Sequence, residues 1–136
     1  MVLVGITTTS RAGHRSADSM IATGIAPIPG EIAISVVSLA ELHFGVLVAK
    51  SQEARATRLT RLSAIQRRFD PLPVDDAVAD SYGRLAARVA EVGRQPRARV
   101  MDLLIAATAH AHDASVYTRN PDDLAGLDDL ITIVAI

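Results

Sequence analysis

Residues 100–112 read VMDLLIAATAHAH, an apolar stretch that contains one carboxylate, Asp102. Because this stretch is apolar on nearly every side, it predicts a helix that is buried within the fold. An ionised carboxylate among such neighbours is costly unless something compensates its charge. Two interpretations of Asp102 are open: the dipole at the helix N-terminus stabilises it, or it belongs to a functional site.

Short β-branched runs and amphipathic helical patterns alternate around this stretch. The runs predict strands at residues 1–6, 31–37, 71–74, 115–118 and 131–136. The helical patterns lie at residues 38–50, 51–69 and 75–92, with inward-facing side chains that include Leu47, Leu59 and Val92. Connections long enough for crossovers predict an α/β fold with helices on both faces of a mainly parallel central sheet. The 136 residues are expected to form one domain.

The composition narrows the possible functions. The chain has no cysteine, which excludes disulfides and thiolate metal sites and leaves oxygen or imidazole ligands. The formal net charge is −1, so the chain lacks the overall basicity of many nucleic-acid binders, and any contact with nucleic acid is expected to be local. The N-terminus has no secretion-signal pattern and no apolar run is long enough to span a bilayer, which predicts a cytoplasmic protein.

Two further groups of oxygen-bearing side chains follow predicted strands. Ser38 is the predicted N-cap of the helix after residues 31–37, and Glu41 occupies the capping-box position three residues later. The polar turn at residues 120–123 follows the strand at 115–118 and has ordinary turn chemistry. Because parallel strands present ligand-binding groups at their carboxyl ends, Glu41, Asp102 and this turn are expected at one edge of the sheet.

Three ordered segments resemble PIN domains, and most closely the VapC-type toxins: ISVVSLAEL at residues 34–42, DLLIAATA at 102–109 and TRNPDDL at 118–124. The resemblance covers residues 31–136 and implies a PIN-like three-layer α/β fold. It implies a metal-dependent endoribonuclease toxin that uses Mg²⁺ or Mn²⁺ to cleave RNA. It also implies two protein partners, a cognate VapB-like antitoxin and a second copy of the chain in a homodimer.

The resemblance also assigns roles to individual residues. The catalytic acids are Glu41, Asp102 and Asp123, with Asp122 as an alternative to Asp123. The metal ligands are Asp102, Glu41 and Asn120. The RNA-contacting candidates are Arg97, Arg99 and Thr118, although a solvated basic loop explains the arginines equally well. The histidines are expected to have no catalytic role.

The N-terminal residues depart from the family pattern. Members of the family normally end the first strand with an Asp that helps to bind the metal, and this chain has Gly5 there. The only acid before Glu31 is Asp18, which is a further candidate metal ligand. Residues 1–30 are therefore atypical, through divergence, disorder or a shifted reading frame or start site. This departure motivates an alternative function, a catalytically inactive PIN domain that binds an antitoxin.

Overall fold

The computed structural model describes residues 5–8 and 31–136. Its strands are β1 (Gly5–Thr8), β2 (Glu31–Ser35), β3 (Pro71–Leu72), β4 (Ser115–Thr118) and β5 (Ile133–Ala135). Its α-helices are α1 (Val36–Leu47), α2 (Gln52–Arg68), α3 (Asp76–Glu91) and α4 (Val100–Ala111), and its 3₁₀ turns are Pro96–Arg99 and Pro121–Leu124. Most of the atypical N-terminal stretch, including Asp18, lies outside the described residues. No helix in the described part is long and apolar enough to cross a membrane.

The five strands form one sheet in the order β3-β2-β1-β4-β5. The pairs β2–β3 and β4–β5 are parallel, whereas β1 is antiparallel to both of its neighbours. The predicted parallel arrangement is thus confirmed for two of the four pairings and is wrong for β1. A parallel neighbour needs a crossover connection, usually a helix, and the sequence between β1 and β2 has no amphipathic helical pattern to form one.

The junction between β2 and α1 contains no loop. Ser35 is the last residue of β2 and also the N-cap of α1, and its hydroxyl accepts a hydrogen bond of 3.1 Å from the backbone N–H of Val37. The helix therefore begins three residues earlier than predicted, because Ser35 satisfies the first free N–H groups before Ser38 is reached. Assigning the cap to Ser38, with Glu41 in a capping box, was wrong.

Two buried apolar clusters form the core. The first includes residues of α3, α4 and β4, among them Val78, Leu85, Leu103, Ile105 and Val116. The second joins β2, α1 and α2 through Ile34, Leu42, Leu62, Ile65 and Phe69. Val116 belongs to the first cluster and its neighbour Tyr117 packs on the second. Because successive side chains of a strand point to opposite faces, the sheet buries residues on both faces, and the α/β class is confirmed.

Three side chains that the helical patterns place inward are exposed: Leu47 by 69%, Leu59 by 50% and Val92 by 46%. Leu47 is the last residue of α1 and Val92 follows the end of α3, so neither has a neighbouring turn to cover it. Leu59 points roughly 90° away from the mean direction of the buried α2 residues, at about 100° of rotation per residue. The apolar face of α2 is therefore narrower than its sequence pattern indicates.

Two leucines of α2 test this arrangement, because Leu62 is 3% exposed and Leu59 is 50% exposed. Replacing Leu62 with alanine removes buried methyl groups and leaves a cavity, which is expected to lower the free energy of unfolding by about 2 to 5 kcal/mol. Leu59→Ala is the matched control and is expected to change it by less than about 1 kcal/mol. Urea denaturation measures both values. Equal losses from the two variants would contradict the packing of α2.

Candidate active site

Glu41 lies in the second turn of α1, where its carboxylate is half-buried. Burial raises the pKa of Glu41, and the nearby negative charge of Asp102 raises it further. No hydrogen bond joins the Glu41 side chain to any other residue in the described part of the chain. The first turn of α1 contains no acidic residue. Glu41 therefore has no capping role that would explain its position.

Asp102 is the third residue of α4 and is also half-buried. Burial raises its pKa, the negative charge of Asp123 raises it further, and the positive charge of Arg99 opposes this rise. Its position fits stabilisation by the helix dipole. However, its carboxylate accepts no hydrogen bond from the described residues, so the free N–H groups of the first turn do not hold it. The carboxylate stays available to a ligand.

Asp123, in the 3₁₀ turn after β4, forms an ion pair with Arg99. The guanidinium Nη1 lies 2.6 Å from Asp123 Oδ1, and the two side chains are 29% and 38% exposed. Hydrogen bonds from a charged donor to a charged acceptor are the strongest kind in proteins. This contact joins the basic segment before α4 to the turn after β4.

Arg94 also binds the turn that contains Asp123, and the sequence analysis did not identify this arginine as part of the site. Its Nη1 donates to the backbone carbonyls of Asp122 at 3.2 Å and Ala125 at 3.4 Å. Two arginines of the basic segment at residues 94–99 therefore hold the acidic turn in place. Arg97 is exposed. The basic composition of the segment was visible in the sequence, but the partners of its arginines, more than 20 residues away, were not.

Thr118 and Asn120 shape the acidic turn. The hydroxyl of Thr118, which is 2% exposed, accepts a hydrogen bond of 3.1 Å from the backbone N–H of Asn120. The carbonyl of Asn120 in turn accepts from the backbone N–H of Asp123 at 3.1 Å. The side chain of Asn120 is exposed. Contact of Thr118 with a substrate and of Asn120 with a metal both stay predictions.

Electrostatic coupling thus links Glu41 to Asp102, and Asp102 to Asp123. As their side chains stand, no three acidic or histidine residues in the described part of the chain come close enough together to hold a metal ion. Asp123 is directed to Arg99 instead. Gly5 pairs with Ile34 and Tyr117, near the ends of β2 and β4, and supplies no carboxylate there. Asp18, the candidate substitute, is outside the described residues.

A separate polar cleft of about 250 Å³ lies near the start of β4, at the opposite end of that strand from Thr118. Its lining includes His110, whose Nδ1 lies 2.8 Å from the hydroxyl of Ser81. The ring of His43 contacts Gln66. These two histidines have partners of their own, and neither of these partners is one of the three acids.

Comparison with known proteins identifies the family of the chain. The PIN domain family profile matches residues 2–130. Ribonuclease VapC5 of Mycobacterium tuberculosis is 40% identical over 134 residues, which cover 94% of this chain and 96% of the relative. Ribonuclease VapC4 of the same organism is 39% identical over 104 residues, which cover 76% of this chain and 78% of the relative.

Solved structures show the same fold. The crystal structure of VapBC-5 from Mycobacterium tuberculosis, a member of the VapBC family of toxin–antitoxin systems, matches with a TM-score of 0.67 and 41% identity. The match covers 76% of this chain and 79% of that one. VapBC2 from Rickettsia felis, bound to a DNA fragment from its promoter, matches in fold with a TM-score of 0.62 and 24% identity, covering 76% and 74% of the two chains. The chain belongs to the PIN-domain family, and its relatives within that family are VapC ribonucleases.

Proposed function

We propose that the protein is the ribonuclease toxin of a toxin–antitoxin pair and cleaves RNA phosphodiester bonds with a divalent cation. The observation that carries this proposal is the coupling of two half-buried carboxylates, Glu41 and Asp102, neither of which is hydrogen-bonded within the described residues. The identity of 40% to a VapC ribonuclease over nearly the whole chain supports the activity.

The donor set fits Mg²⁺ or Mn²⁺. These cations prefer carboxylate and water oxygens. Among the described residues the site offers carboxylates without a coordinating histidine, and the chain has no cysteine to supply a thiolate. Glu41 and Asp102 are the proposed ligands, because burial and the charge of Asp102 raise the pKa of Glu41, and a bound cation would favour the ionised form of both. When bound, such an ion would supply an activated water molecule and would offset charge on the attacked phosphate. Asp123 and Asn120 are proposed to complete the site from the turn.

The residues of the chain position the proposed metal ligands and bind the phosphate of the RNA. Glu41 is borne by the second turn of α1 and Asp102 by the first turn of α4, so the backbone positions of both are set by regular helices. Arg99 is held by Asp123, which places a positive charge beside the acids. Exposed Arg97 lies two residues earlier and makes no ion pair with any of the residues that the structure describes. We assign phosphate binding to Arg97 first and to Arg99 second, since a Lys or Arg side chain holds phosphate electrostatically.

A VapB-like antitoxin is the proposed protein partner. The solved relatives belong to VapBC systems, which pair a toxin with an antitoxin. Three large apolar side chains at the end of α1 are exposed: Phe44 by 66%, Leu47 by 69% and Val48 by 50%. Their spacing places them on one side of the helix, and such patches mark protein interaction sites. A second copy of the chain is the other partner that the same patch would suit.

One observation favours a second candidate function. Gly5 stands where the family normally has an acid, so the site has one carboxylate fewer unless Asp18 replaces it. A site that binds the cation too weakly would leave an inactive domain that still binds an antitoxin. Wild-type protein that cleaves no RNA with Mg²⁺ or Mn²⁺ but binds the antitoxin would establish this second function.

Asp102→Asn is expected to abolish metal-dependent cleavage, because a neutral amide cannot offset the charge of the cation. The expected loss in rate is roughly 100-fold or more, which corresponds to several kcal/mol of lost transition-state stabilisation. Cleavage of a structured RNA is measured with Mg²⁺, with Mn²⁺ and with EDTA. Asp128→Asn, an exposed acid on the other side of β4, is the matched control and should retain full activity. Cleavage by Asp102→Asn at the wild-type rate, or undiminished cleavage in EDTA, contradicts the proposal.

Asp18→Asn tests whether this residue replaces the missing first acid. If Asp18 is a ligand, the variant loses cleavage and binds Mn²⁺ more weakly than the wild type, because one carboxylate has been removed. Both the cleavage rate and the Mn²⁺ affinity are measured. Unchanged values for both would show that Asp18 is not a ligand.

The raised pKa values of Glu41 and Asp102 predict how stability depends on pH. A carboxyl group whose pKa is higher in the folded state binds its proton more tightly there than in the unfolded chain. The free energy of unfolding of the metal-free protein should therefore fall as pH rises from the ordinary carboxyl pKa through the raised values. In the double variant Glu41→Gln/Asp102→Asn, the free energy of unfolding should fall less over this pH range, because the two carboxyl groups are absent. Urea denaturation between pH 4 and pH 8 in EDTA measures the free energy of unfolding of both proteins. The same pH dependence in the wild type and the double variant would contradict the raised pKa values.

A further inference from the structure

We infer that Ser38 is a positioning residue of the acidic site, whose buried hydroxyl donates a hydrogen bond to the Glu41 carboxylate when that carboxylate holds the cation. This inference rests on the proposed function. It assigns a role in the site to a residue that the sequence pattern identifies only as a helix cap.

Ser38 differs from the other buried polar residues of the described chain. It is 1% exposed, and its Oγ has no hydrogen-bond partner. The other four buried hydroxyls are all paired: Ser35 with the N–H of Val37, Ser81 with His110, Thr108 with the carbonyl of Leu104, and Thr118 with the N–H of Asn120. A buried polar group left without a partner costs about 1 to 3 kcal/mol. This cost indicates that the hydroxyl of Ser38 has a hydrogen-bond partner in another state of the protein.

The usual structural explanation does not apply to Ser38. A serine or threonine inside a helix commonly bonds back to the carbonyl of the preceding turn, as Thr108 of α4 does at 2.8 Å. Ser38 makes no such bond. It is not the N-cap either, because Ser35 fills that position. Neither local role of a helical serine therefore accounts for the hydroxyl.

The position of Ser38 on α1 points to Glu41 as its partner. The two residues are three apart, and side chains at this spacing are neighbours on one side of a helix. Helical side chains lean towards the N-terminus, which brings the carboxylate of Glu41 over the turn that contains Ser38. Ser38 has a donor without an acceptor, and no donor among the described residues bonds to the carboxylate of Glu41. At this spacing a change of side-chain rotamer can join them.

Holding a cation would favour this rotamer. A carboxylate that coordinates a metal through one oxygen has lone pairs left over, and hydrogen bonds from neighbouring groups to such carboxylates fix their orientation. The hydroxyl of Ser38 can supply that bond from within the helix that already bears Glu41. Its contribution is to metal affinity, and the metal-free protein gains nothing from it.

Ser38→Ala separates this role from a purely structural one. Removing an unpaired hydroxyl should leave the melting temperature of the metal-free protein unchanged or higher. The affinity for Mn²⁺ should fall by about 10-fold, which is the lower end of the losses seen when a group that orients a metal ligand is removed. Isothermal titration calorimetry with Mn²⁺ and thermal denaturation in EDTA measure the two quantities. Ser81→Ala is the matched control: it loses a hydrogen bond, so its melting temperature should fall while its Mn²⁺ affinity stays at the wild-type value.

Three results would overturn the inference. Mn²⁺ affinity in Ser38→Ala equal to that of the wild type would show that the hydroxyl does not act on the site. Loss of folding in Ser38→Ala would show that the hydroxyl stabilises the fold. An equal loss of affinity in Ser81→Ala would show that the effect is not specific. In each of these cases wild-type Mn²⁺ binding leaves the proposed function intact, whereas a wild type that binds no Mn²⁺ refutes both.

Discussion

The constraint on which the proposed site depends is the partial burial of two carboxylates, Glu41 and Asp102, which raises the pKa of both, with the charge of Asp102 raising that of Glu41 further. Like charges held close together in a partly desolvated place resist ionisation, and a protein keeps such a pair at a cost in stability. The fold maintains the pair through the helices that bear them. Ser35 starts α1 directly at the end of β2, and α4 begins directly after the 3₁₀ turn Pro96–Arg99. Under the proposed function, a bound divalent cation would offset the charge of both carboxylates.

A second layer of contacts holds the surroundings of the pair. Arg99 binds the carboxylate of Asp123, and Arg94 binds two carbonyls of the same turn. Thr118 organises the start of that turn from inside the fold. The basic segment therefore holds the acidic turn in place and also supplies positive charge. Removing either arginine would loosen the turn, so a loss of activity in such a variant would not by itself demonstrate contact with RNA.

Much of this could be predicted from local sequence. The strand at residues 115–118 and the cap of α3 at Asp75 agree with prediction, because alternation and side-chain capping are local signals. Ser35 and Ser38 are both good caps, and the choice between them depends on where β2 stops pairing with β3, which is a long-range property. The pairing of Arg99 with Asp123 spans 24 residues and has no local signal either. The direction of β1 likewise depends on its sheet partners, and the resemblance to PIN domains did not predict that β1 is antiparallel to both of them.

The central claim is that Glu41 and Asp102 together hold a divalent cation, and Mn²⁺ binding tests it without relying on RNA cleavage. Calorimetric titration of the wild type, Glu41→Gln, Asp102→Asn and the double variant forms a double-mutant cycle. The account predicts that the wild type binds Mn²⁺, that each single variant loses most of the affinity, and that the double variant loses less than the sum of the two. Affinity in Asp102→Asn equal to that of the wild type would contradict it.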